Sequence, residues 1–447
     1  MKKLLIIQQD EAYFLFETLQ VLEKNISAFK DIDLTILVDK KAYLNAFDRS
    51  NPIIKGITTD ADSICEKKFD VSINLSLNED SWNFHGKVNS SKKVGPYTTE
   101  GRTIVDDLWS SYLMTLKAKA PFLTFHLQDV YKNILGIRGA STKDRKINNP
   151  KQIIIGTSAS QLFSANEQES LIYELAMNYP SIALKDLSEV DLISDLSQSL
   201  YVGPANFEAL KFCAAGGRGI FLTSAFQGFN LIPYEKGNLI ISTRGGSISS
   251  RGLLKIISDT FEGKSPSSTE YSLYTIEQEN LFGPMFKSLN QSDASFPVYQ
   301  AHAVLWNFLL NLFELNLPVS KCNAEQMNLI KNQREVLQKY IRLHDYAMVS
   351  IDTIYHETKS KNSDTSKIEG HLKNLVEIDT ISDQIASSHP MLRPILDFYR
   401  IRRGQNSGQT LFEQSQHSFL AYSEEHQALV ALQELFSVTL KENEVNI

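Results

Sequence analysis

The stretch LYVGPANFEALKFCAAGGRGIFLTS, from Leu200 to Ser224, decides the fold class. It opens and closes on apolar runs, Leu200–Val202 and Ile220–Leu222, which are typical of buried strands. Between them, Pro204 favours the first turn of a helix, and Gly216–Gly217 favours its end. A strand, a tight loop, a helix and a second strand form the repeating unit of a parallel α/β sheet. The loop of such a unit often holds a phosphate against the helix N-terminus.

The same alternation of strands and helices extends to both sides of this stretch. Residues 1–148 predict a first Rossmann-like domain, and residues 149–263 predict a second one. A linker is expected over 264–300, and a helical domain or cap over 301–447. The helical periodicity is found at Ala301–Leu317, Asn323–Thr358, Lys367–Ser387, Leu392–Arg403 and Glu424–Leu440. The predicted fold is α/β, with two Rossmann-like domains followed by a mostly α-helical C-terminal region.

The composition is that of a globular protein without a basic surface. The 447 residues are 42% hydrophobic and 22% charged, with a formal net charge of −7. This balance argues against a nucleic-acid partner, which would favour a basic face. The cysteines, Cys65, Cys213 and Cys322, lie far apart with no CxxC pair. They suit a reducing compartment better than a disulfide framework or a zinc site.

Neither apolar segment of note predicts a membrane span or a leader. The N-terminal MKKLLIIQQD has too short an apolar core for a signal peptide and predicts a first strand. Val304–Leu317 is shorter than a bilayer span and carries Glu314, which favours a buried helix. We therefore expect a cytoplasmic protein, with a peripheral position at the inner face of the membrane as the alternative.

Several segments, in order and spacing, resemble the heptosyltransferase-like glycosyltransferases of family nine. The resemblance covers about Met1 to Thr260. The segments are KLLIIQQDEAYFLFETLQVLEKN with IDLTILVD, FDVSINLSLNEDSW, KKVGPYTTEGR with DDLWSSYL and FHLQDVYKNILGI, IIIGTSAS, and the opening stretch.

This resemblance implies the GT-B arrangement, with the acceptor on the first domain and the donor nucleotide on the second. It also implies metal-independent, inverting transfer of a sugar, often heptose from an ADP-sugar, to a glycan or lipid-linked acceptor. No cofactor is expected beyond the nucleotide-sugar substrate. The alternative is a catalytically inactive member that binds a protein or a glycan through its cleft or through the helical tail.

Asp10 matches the aspartate of the family's Gly-Asp loop, between the first strand and the first helix. The resemblance implies a catalytic base, since inverting transfer needs a group that takes the proton of the attacking hydroxyl. The alternative is an N-terminal helix cap, for which an aspartate at this position is common. The family's glycine is Gln9 here, which reduces the backbone freedom of the loop.

A small-residue loop follows the first strand of the second domain. It contains Gly156, Thr157, Ser158 and Ser160, whose amides and hydroxyls suit a diphosphate. The family usually has a lysine a few residues further on, and Gln161 stands nearest to that position. A glutamine forms hydrogen bonds but supplies no positive charge. An ordinary serine-rich turn is the alternative.

The opening stretch corresponds to the family's second donor-binding loop, but lacks its characteristic polar side chains. Ala205–Phe207 replaces the aspartate, hydroxyl and glycine, and Leu210 replaces the histidine. Gly203, Asn206 and Glu208 remain as donor-binding candidates. Glu208 resembles a ribose-binding glutamate, although an acidic residue early in a helix also suits the helix dipole. Backbone amides near Asn206 hold a phosphate without any particular side chain.

Four residues of the first domain are candidates for the acceptor side. Trp82, His85 and Arg102 come from segments expected to overhang the acceptor cleft, and His126 is expected near the inter-domain face. Aromatic side chains there would stack on a sugar, although tryptophan is also a common core residue. For His126 the alternative is a structural hydrogen bond.

Overall fold

The structure is a computed structural model. It describes residues 2–39, 56–105, 107–117, 126–137, 150–156, 162–190, 196–223, 237–243, 246–279, 283–289, 324–360, 362, 364–389, 392–404 and 410–444.

The first unit is built on a five-stranded parallel sheet of strand order β3-β2-β1-β4-β5. Its strands are β1 (Lys2–Gln8), β2 (Ile32–Val38), β3 (Ile57–Thr58), β4 (Phe69–Asn74) and β5 (Ser90–Val94). The chain leaves β1 on one side through β2 and β3, and then returns to the other side as β4. The carboxyl ends of β1 and β4 therefore form the topological switch point, where ligands bind in open α/β sheets.

Helices and a small hairpin surround this sheet. They are α1 (Ala12–Lys24), α2 (Ala61–Cys65), α3 (Glu79–Lys87), α4 (Leu108–Lys117), α5 (Leu127–Ile134), β6 (Tyr97–Thr99) and β7 (Arg102–Ile104). Leu4 and Ile6 of β1 pack into the core on one face, and Leu5 and Ile7 into the core on the other. Both faces of β1 are thus covered, as expected of a central parallel strand.

The second unit contains a seven-stranded sheet of order β14-β13-β12-β11-β10-β8-β9. Its strands are β8 (Gln152–Ile155), β9 (Ala183–Asp186), β10 (Ser199–Pro204), β11 (Arg218–Thr223), β12 (Leu239–Ser242), β13 (Ser272–Glu279) and β14 (Gly283–Ser288). Strands β8 to β12 are parallel, and β13 and β14 are antiparallel additions beyond β12. The switch point of this sheet lies between β8 and β10.

The helices of the second unit are α6 (Ala165–Asn178), α7 (Phe207–Ala214) and α8 (Ser250–Phe261). Helices α6 and α8 cover one face, where Leu171 and Leu253 belong to the same core cluster. Helix α7 covers the other face, where Phe212 packs with Tyr201. The quoted stretch is therefore β10, α7 and β11, as predicted. Pro204 is the last residue of β10, however, and does not begin the helix.

The linker expected over 264–300 is a connection only in part. Two antiparallel strands, β13 and β14, fall within it and extend the second sheet beyond β12. The Ser/Pro-rich run after Glu262 covers only the return from α8 to β13. The second sheet therefore reaches at least to Ser288, past the predicted domain boundary at 263.

The C-terminal region is helical where it is described. Its helices are α9 (Ala324–Lys359), α10 (Thr365–Ser388), α11 (Arg393–Gly404) and α12 (Leu411–Glu444). Helix α12 begins well before the predicted start at Glu424, and the helix predicted over Ala301–Leu317 lies outside the described residues.

The helical region shares a core with the first sheet. The ring of Phe398 in α11 lies 6.4 Å from that of Tyr112 in α4. Leu396 and Leu432 belong to the same buried cluster as Ile6 and Leu19. The four helices thus form a buttress on the α4 side of the first unit. Within the described ranges, no helix is both long and apolar enough to cross a membrane.

Candidate functional site

Asp10 lies two residues after β1, at the switch point of the first sheet. Its Oδ2 accepts a hydrogen bond from the backbone N–H of Leu77 at 2.8 Å. Its Oδ1 accepts one from Nδ2 of Asn78 at 2.9 Å. The residue at the N-terminus of α1 is Glu11, whose side chain makes no capping hydrogen bond. The carboxylate of Asp10 therefore joins β1 to the turn after β4, and the alternative of a cap for α1 does not hold.

The surroundings of Asp10 shift its acid strength. Burial raises the pKa of this carboxyl above its ordinary value, and the hydrogen bonds from Asn78 and Leu77 offset only part of the increase. The side chain is half-buried, so the carboxylate is not fully closed off from solvent. A fixed carboxylate whose pKa is raised has the properties of a general base.

Gln9, which stands in place of the family's glycine, is held firmly in the structure. Its backbone N–H donates to Oγ of Ser76 at 2.7 Å, and its Oε1 accepts from Oγ of Ser81 at 3.0 Å. Its backbone lies outside the left-handed region, so this loop does not require glycine. The glutamine at this position therefore adds hydrogen bonds to the loop without straining its backbone.

The sequence did not single out the polar groups beneath Asp10. Nε2 of Gln8 donates to the hydroxyl of Tyr131 at 2.9 Å and to Oγ1 of Thr18 at 3.3 Å. Burial, and then the charge of Asp10, raise the pKa of Tyr131 well above its usual range. Gln8 and Tyr131 form a neutral, buried floor under the loop. A signal was present in FHLQDVYKNILG, which carries Tyr131 within the family-like segment.

Gly156 and Gly203 meet at the switch point of the second sheet. The N–H of Gly156 donates to the carbonyl of Val202 at 2.9 Å. A Cβ atom on Gly156 would overlap the Tyr201 hydroxyl, and one on Gly203 would lie 2.9 Å from Cα of Gly156. The packing of Tyr201 thus accounts for both glycines without a ligand. Thr157, Ser158, Ser160 and Gln161 lie outside the described residues.

The side chains of Asn206 and Glu208 are engaged locally. Oδ1 of Asn206 caps α7 by accepting from the N–H of Ala209 at 2.9 Å. Oε1 of Glu208 accepts from Nζ of Lys211 at 2.7 Å, and Nζ also lies 4.4 Å from the centre of the Phe207 ring. The first two residues of α7, Phe207 and Glu208, carry backbone N–H groups that an α-helix does not satisfy internally.

A ring contact joins the N-terminal halves of α1 and α7. The rings of Phe16 and Phe207 lie 5.5 Å apart at 88°, in edge-to-face geometry. Asp10 precedes α1, and Asn206 precedes α7. The contact therefore joins the helix that follows Asp10 to the helix that follows the donor-loop candidates.

Trp82 and His85 are core residues, which corrects the expectation that they overhang an acceptor cleft. Trp82 is 5% exposed and donates from Nε1 to the carbonyl of Ser76 at 2.9 Å. Fully buried His85 lies 2.8 Å from Oγ of Ser72 and 3.1 Å from the carbonyl of Pro96. Burial lowers the pKa of His85 to about 4. The neutral ring then donates from Nδ1 to Pro96 and accepts from Ser72 at Nε2.

The other two acceptor-side candidates are separate from Asp10 in the hydrogen-bond network described above. Arg102 is exposed on β7 of the small hairpin. His126 is buried and caps α5, with Nδ1 accepting from the N–H of Gln128 at 3.2 Å. The structural role considered for His126 is therefore the one that the geometry supports. The described part of the chain contains no group of three or more His, Cys, Asp or Glu side chains placed to hold a metal ion.

No protein-family model and no curated protein matches the sequence. Among solved structures, Escherichia coli heptosyltransferase WaaC with ADP is 10% identical, with a TM-score of 0.39, and the match covers 58% of this chain and 99% of that one. The same enzyme with ADP-2-deoxy-2-fluoro heptose is 9% identical, with a TM-score of 0.38, covering 57% and 99%. A glycosyl transferase of family 9 from Veillonella parvula DSM 2008 is 12% identical, with a TM-score of 0.41, covering 59% and 98%.

Because these identities and TM-scores are low, the α/β fold of this chain is assigned from the strand orders of its own two sheets. The three solved structures described above are glycosyltransferases.

Proposed function

We propose that this protein is a glycosyltransferase that moves a sugar from a nucleotide-sugar to a glycan or lipid-linked acceptor by metal-independent inversion. The observation that carries the proposal is the carboxylate of Asp10. It lies at the switch point of the first sheet, is held by Leu77 and Asn78, and does not cap a helix. Burial raises its pKa, which suits a base that takes up a proton during the reaction.

In the proposed reaction, the acceptor hydroxyl attacks the anomeric carbon from the side opposite the nucleotide. The proton of the hydroxyl passes to Asp10 as the new glycosidic bond forms. The bond between the sugar and the diphosphate breaks at the same time, and its electron pair leaves with the nucleotide. A single displacement inverts the anomeric centre.

Negative charge develops on the diphosphate as it leaves. The N-terminus of α7 offers the backbone N–H groups of Phe207 and Glu208 and the positive end of the helix dipole. These groups require no side-chain cation and no metal ion. The side chains of Asn206 and Glu208 already make local hydrogen bonds. We therefore assign the diphosphate to the backbone N–H groups at the N-terminus of α7. Gly156 remains a second candidate for the diphosphate, together with Thr157, Ser158, Ser160 and Gln161, which lie outside the described residues.

A second function is supported by the same engagement of the donor-loop side chains. Oδ1 of Asn206 caps α7, and Glu208 pairs with Lys211, so neither is set aside for a ribose or a phosphate. A member of this fold that has lost catalysis would use the remaining surface to bind a protein or a glycan.

Nucleotide binding and the role of Asp10 together decide between the two functions. We expect one of ADP, UDP, GDP or CMP, or its sugar conjugate, to raise the melting temperature through binding linkage. ADP is the first choice, because a solved neighbour contains it. Asp10→Asn should abolish turnover and leave that shift intact, whereas Glu11→Gln, one residue away and exposed, should change neither.

The oxygen of the Asn78 side chain accepts from Ser81 and cannot turn toward an asparagine amide at position 10, so Asp10→Asn can also lower stability. The unfolding curve of this variant is therefore the control that separates loss of stability from loss of catalysis. Full turnover by Asp10→Asn would remove Asp10 from the role of base. No thermal shift with any nucleotide at millimolar concentration would favour the inactive binding protein.

A further inference from the structure

The second unit carries a polar groove whose lining does not include Asp10 or its hydrogen-bond partners. The groove has a volume of about 610 Å³ and lies between helix α8 and the segment that returns from α8 to β13, with the C-terminal end of α6 closing it. It runs beside α8 from Ser249 to Asp259, which is about 15 Å at the helical rise per residue. Helix α7 lies on the opposite face of the sheet, so the groove is distinct from the donor-loop candidates Asn206 and Glu208.

The floor of the groove is fixed by close packing. The hydroxyl of Tyr271 accepts from the backbone N–H of Ser249 at 3.1 Å, at the start of α8. A Cβ atom on Gly252 would lie 3.0 Å from the ring of Tyr271, so the glycine permits the close approach of the two. At one wall, Tyr179 is half-buried and held by an edge-to-face contact with Phe261 at 5.1 Å. Rigid aromatic side chains of this kind suit the apolar faces of sugar rings.

The charges along the groove cancel. Arg251 and Lys255 stand on α8, and the carboxylates of Asp259 and Glu270 line the same space. A phosphate or polyanion would meet two carboxylates, and a cation would meet two basic side chains. The lining therefore favours an uncharged ligand that both donates and accepts hydrogen bonds.

The backbone of the return segment argues against a peptide strand. Oγ of Ser268 accepts from the N–H groups of Glu270 at 3.1 Å and of Tyr271 at 3.0 Å. These amides are folded into a local turn and are not presented as the edge of a sheet, which strand addition requires. Leu254 is the aliphatic side chain in the lining, so an apolar ligand would bury polar groups without partners.

We propose that this groove binds a neutral, hydroxyl-rich chain, an oligosaccharide. Hydroxyl groups of the sugar pair with Glu270, Asp259 and Lys255, and a ring packs on Tyr179. The proposal does not depend on glycosyl transfer, because binding here needs neither Asp10 nor a nucleotide.

The test is calorimetric titration of the full-length chain with three neutral hexasaccharides, maltohexaose, isomaltohexaose and chitohexaose, and with inorganic phosphate. We expect at least one hexasaccharide to bind. Tyr179→Ala and Glu270→Gln should each weaken that binding about tenfold. The matched control Tyr173→Ala changes an exposed tyrosine on α6, the helix that ends just before Tyr179, and should leave binding unchanged, because Tyr173 lies outside the groove.

The unfolding temperature of each variant shows whether weaker binding comes from a damaged fold. Glu270 is exposed, so Glu270→Gln should not disturb packing. The proposal is overturned if no hexasaccharide binds at millimolar concentration, or if phosphate binds in their place. It is equally overturned if Glu270→Gln and Tyr179→Ala bind as the wild-type chain does.

Discussion

His85 shows how a buried side chain couples this fold to pH. Its pKa in the folded chain is lowered from 6.5 to about 4, because burial penalises the charged ring. The unfolded chain therefore binds a proton between these values that the folded chain does not bind. Stability from the neutral ring is complete above pH 6.5 and is lost as the pH falls toward 4.

We expect this histidine to remove about 3 kcal/mol of stability between pH 6.5 and 4. Urea unfolding at a series of pH values measures the loss, and His85→Gln should flatten that part of the profile. The matched control is His356→Gln, since the side chain of His356 is 66% exposed. An unchanged slope in His85→Gln would show that the ring is not buried as a neutral group.

At the same scale, the sequence located Asp10 but not its partners. An aspartate between an apolar strand and an amphipathic helix is visible in a short window of residues. Leu77 and Asn78 are 67 and 68 positions away, and they reach Asp10 only because β4 lies beside β1. The burial of Trp82 and His85 was missed for the same reason, since it depends on the hairpin that packs over α3.

The elements at the second switch point depend on a tyrosine packed under two glycines. Tyr201 lies beneath Gly156 and Gly203, and its hydroxyl donates to the carbonyl of Pro204 at 2.8 Å. A methyl group at position 156 would overlap this hydroxyl. A side chain at position 156 therefore requires Tyr201 or the end of β8 to shift.

Gly156→Ala should lower the free energy of unfolding by about 1–3 kcal/mol through this overlap. Adding Tyr201→Phe removes the nearest overlapping atom but leaves ring carbons at 2.6 and 2.8 Å, so the double variant should lose somewhat less than the sum of the two single variants. The matched control is Gly370→Ala in α10, where a Cβ meets no atom within 4 Å. That substitution should stabilise the chain by up to about 1 kcal/mol. Additive losses at 156 and 201 would contradict the packing described here.

Helices and strands were predicted well where the hydrophobic pattern was uninterrupted. They were predicted poorly where a strand is defined by its pairing with a distant part of the chain. The quoted stretch has an uninterrupted pattern of strand, helix and strand, and it folds as β10, α7 and β11. Strands β13 and β14 follow a Ser/Pro-rich run and pair antiparallel with β12 and with each other. Their place in the sheet comes from that pairing, which the local sequence does not carry, and they were assigned to a linker.

At the scale of the whole molecule, a buried ion cluster ties the helical buttress together. Arg403 in α11 contacts Glu425 in α12 and lies 2.8 Å from Asp379 in α10. Glu425 is fully buried, and Nε2 of His344 in α9 lies 3.2 Å from it. Burial raises the pKa of Glu425, but Arg403 and His344 outweigh it and hold the pKa below its ordinary value. The same helix α11 packs through Phe398 against α4 of the first unit.

Arg403→Met should lower the free energy of unfolding by about 3–5 kcal/mol, because it leaves Glu425 buried without its cation. The loss should reach the first unit, since Phe398 and Tyr112 belong to one core. Hydrogen exchange should therefore speed up in α4 as well as in α11, and much less in β10 of the second sheet. Arg400→Met is the matched control, because Arg400 is partly exposed on the same helix and pairs with exposed Asp383. Its second partner, buried Asp397 at 3.7 Å, keeps Arg393 at 2.8 Å when Arg400 is removed. Faster exchange confined to the four helices would show that the buttress and the first sheet unfold as separate units.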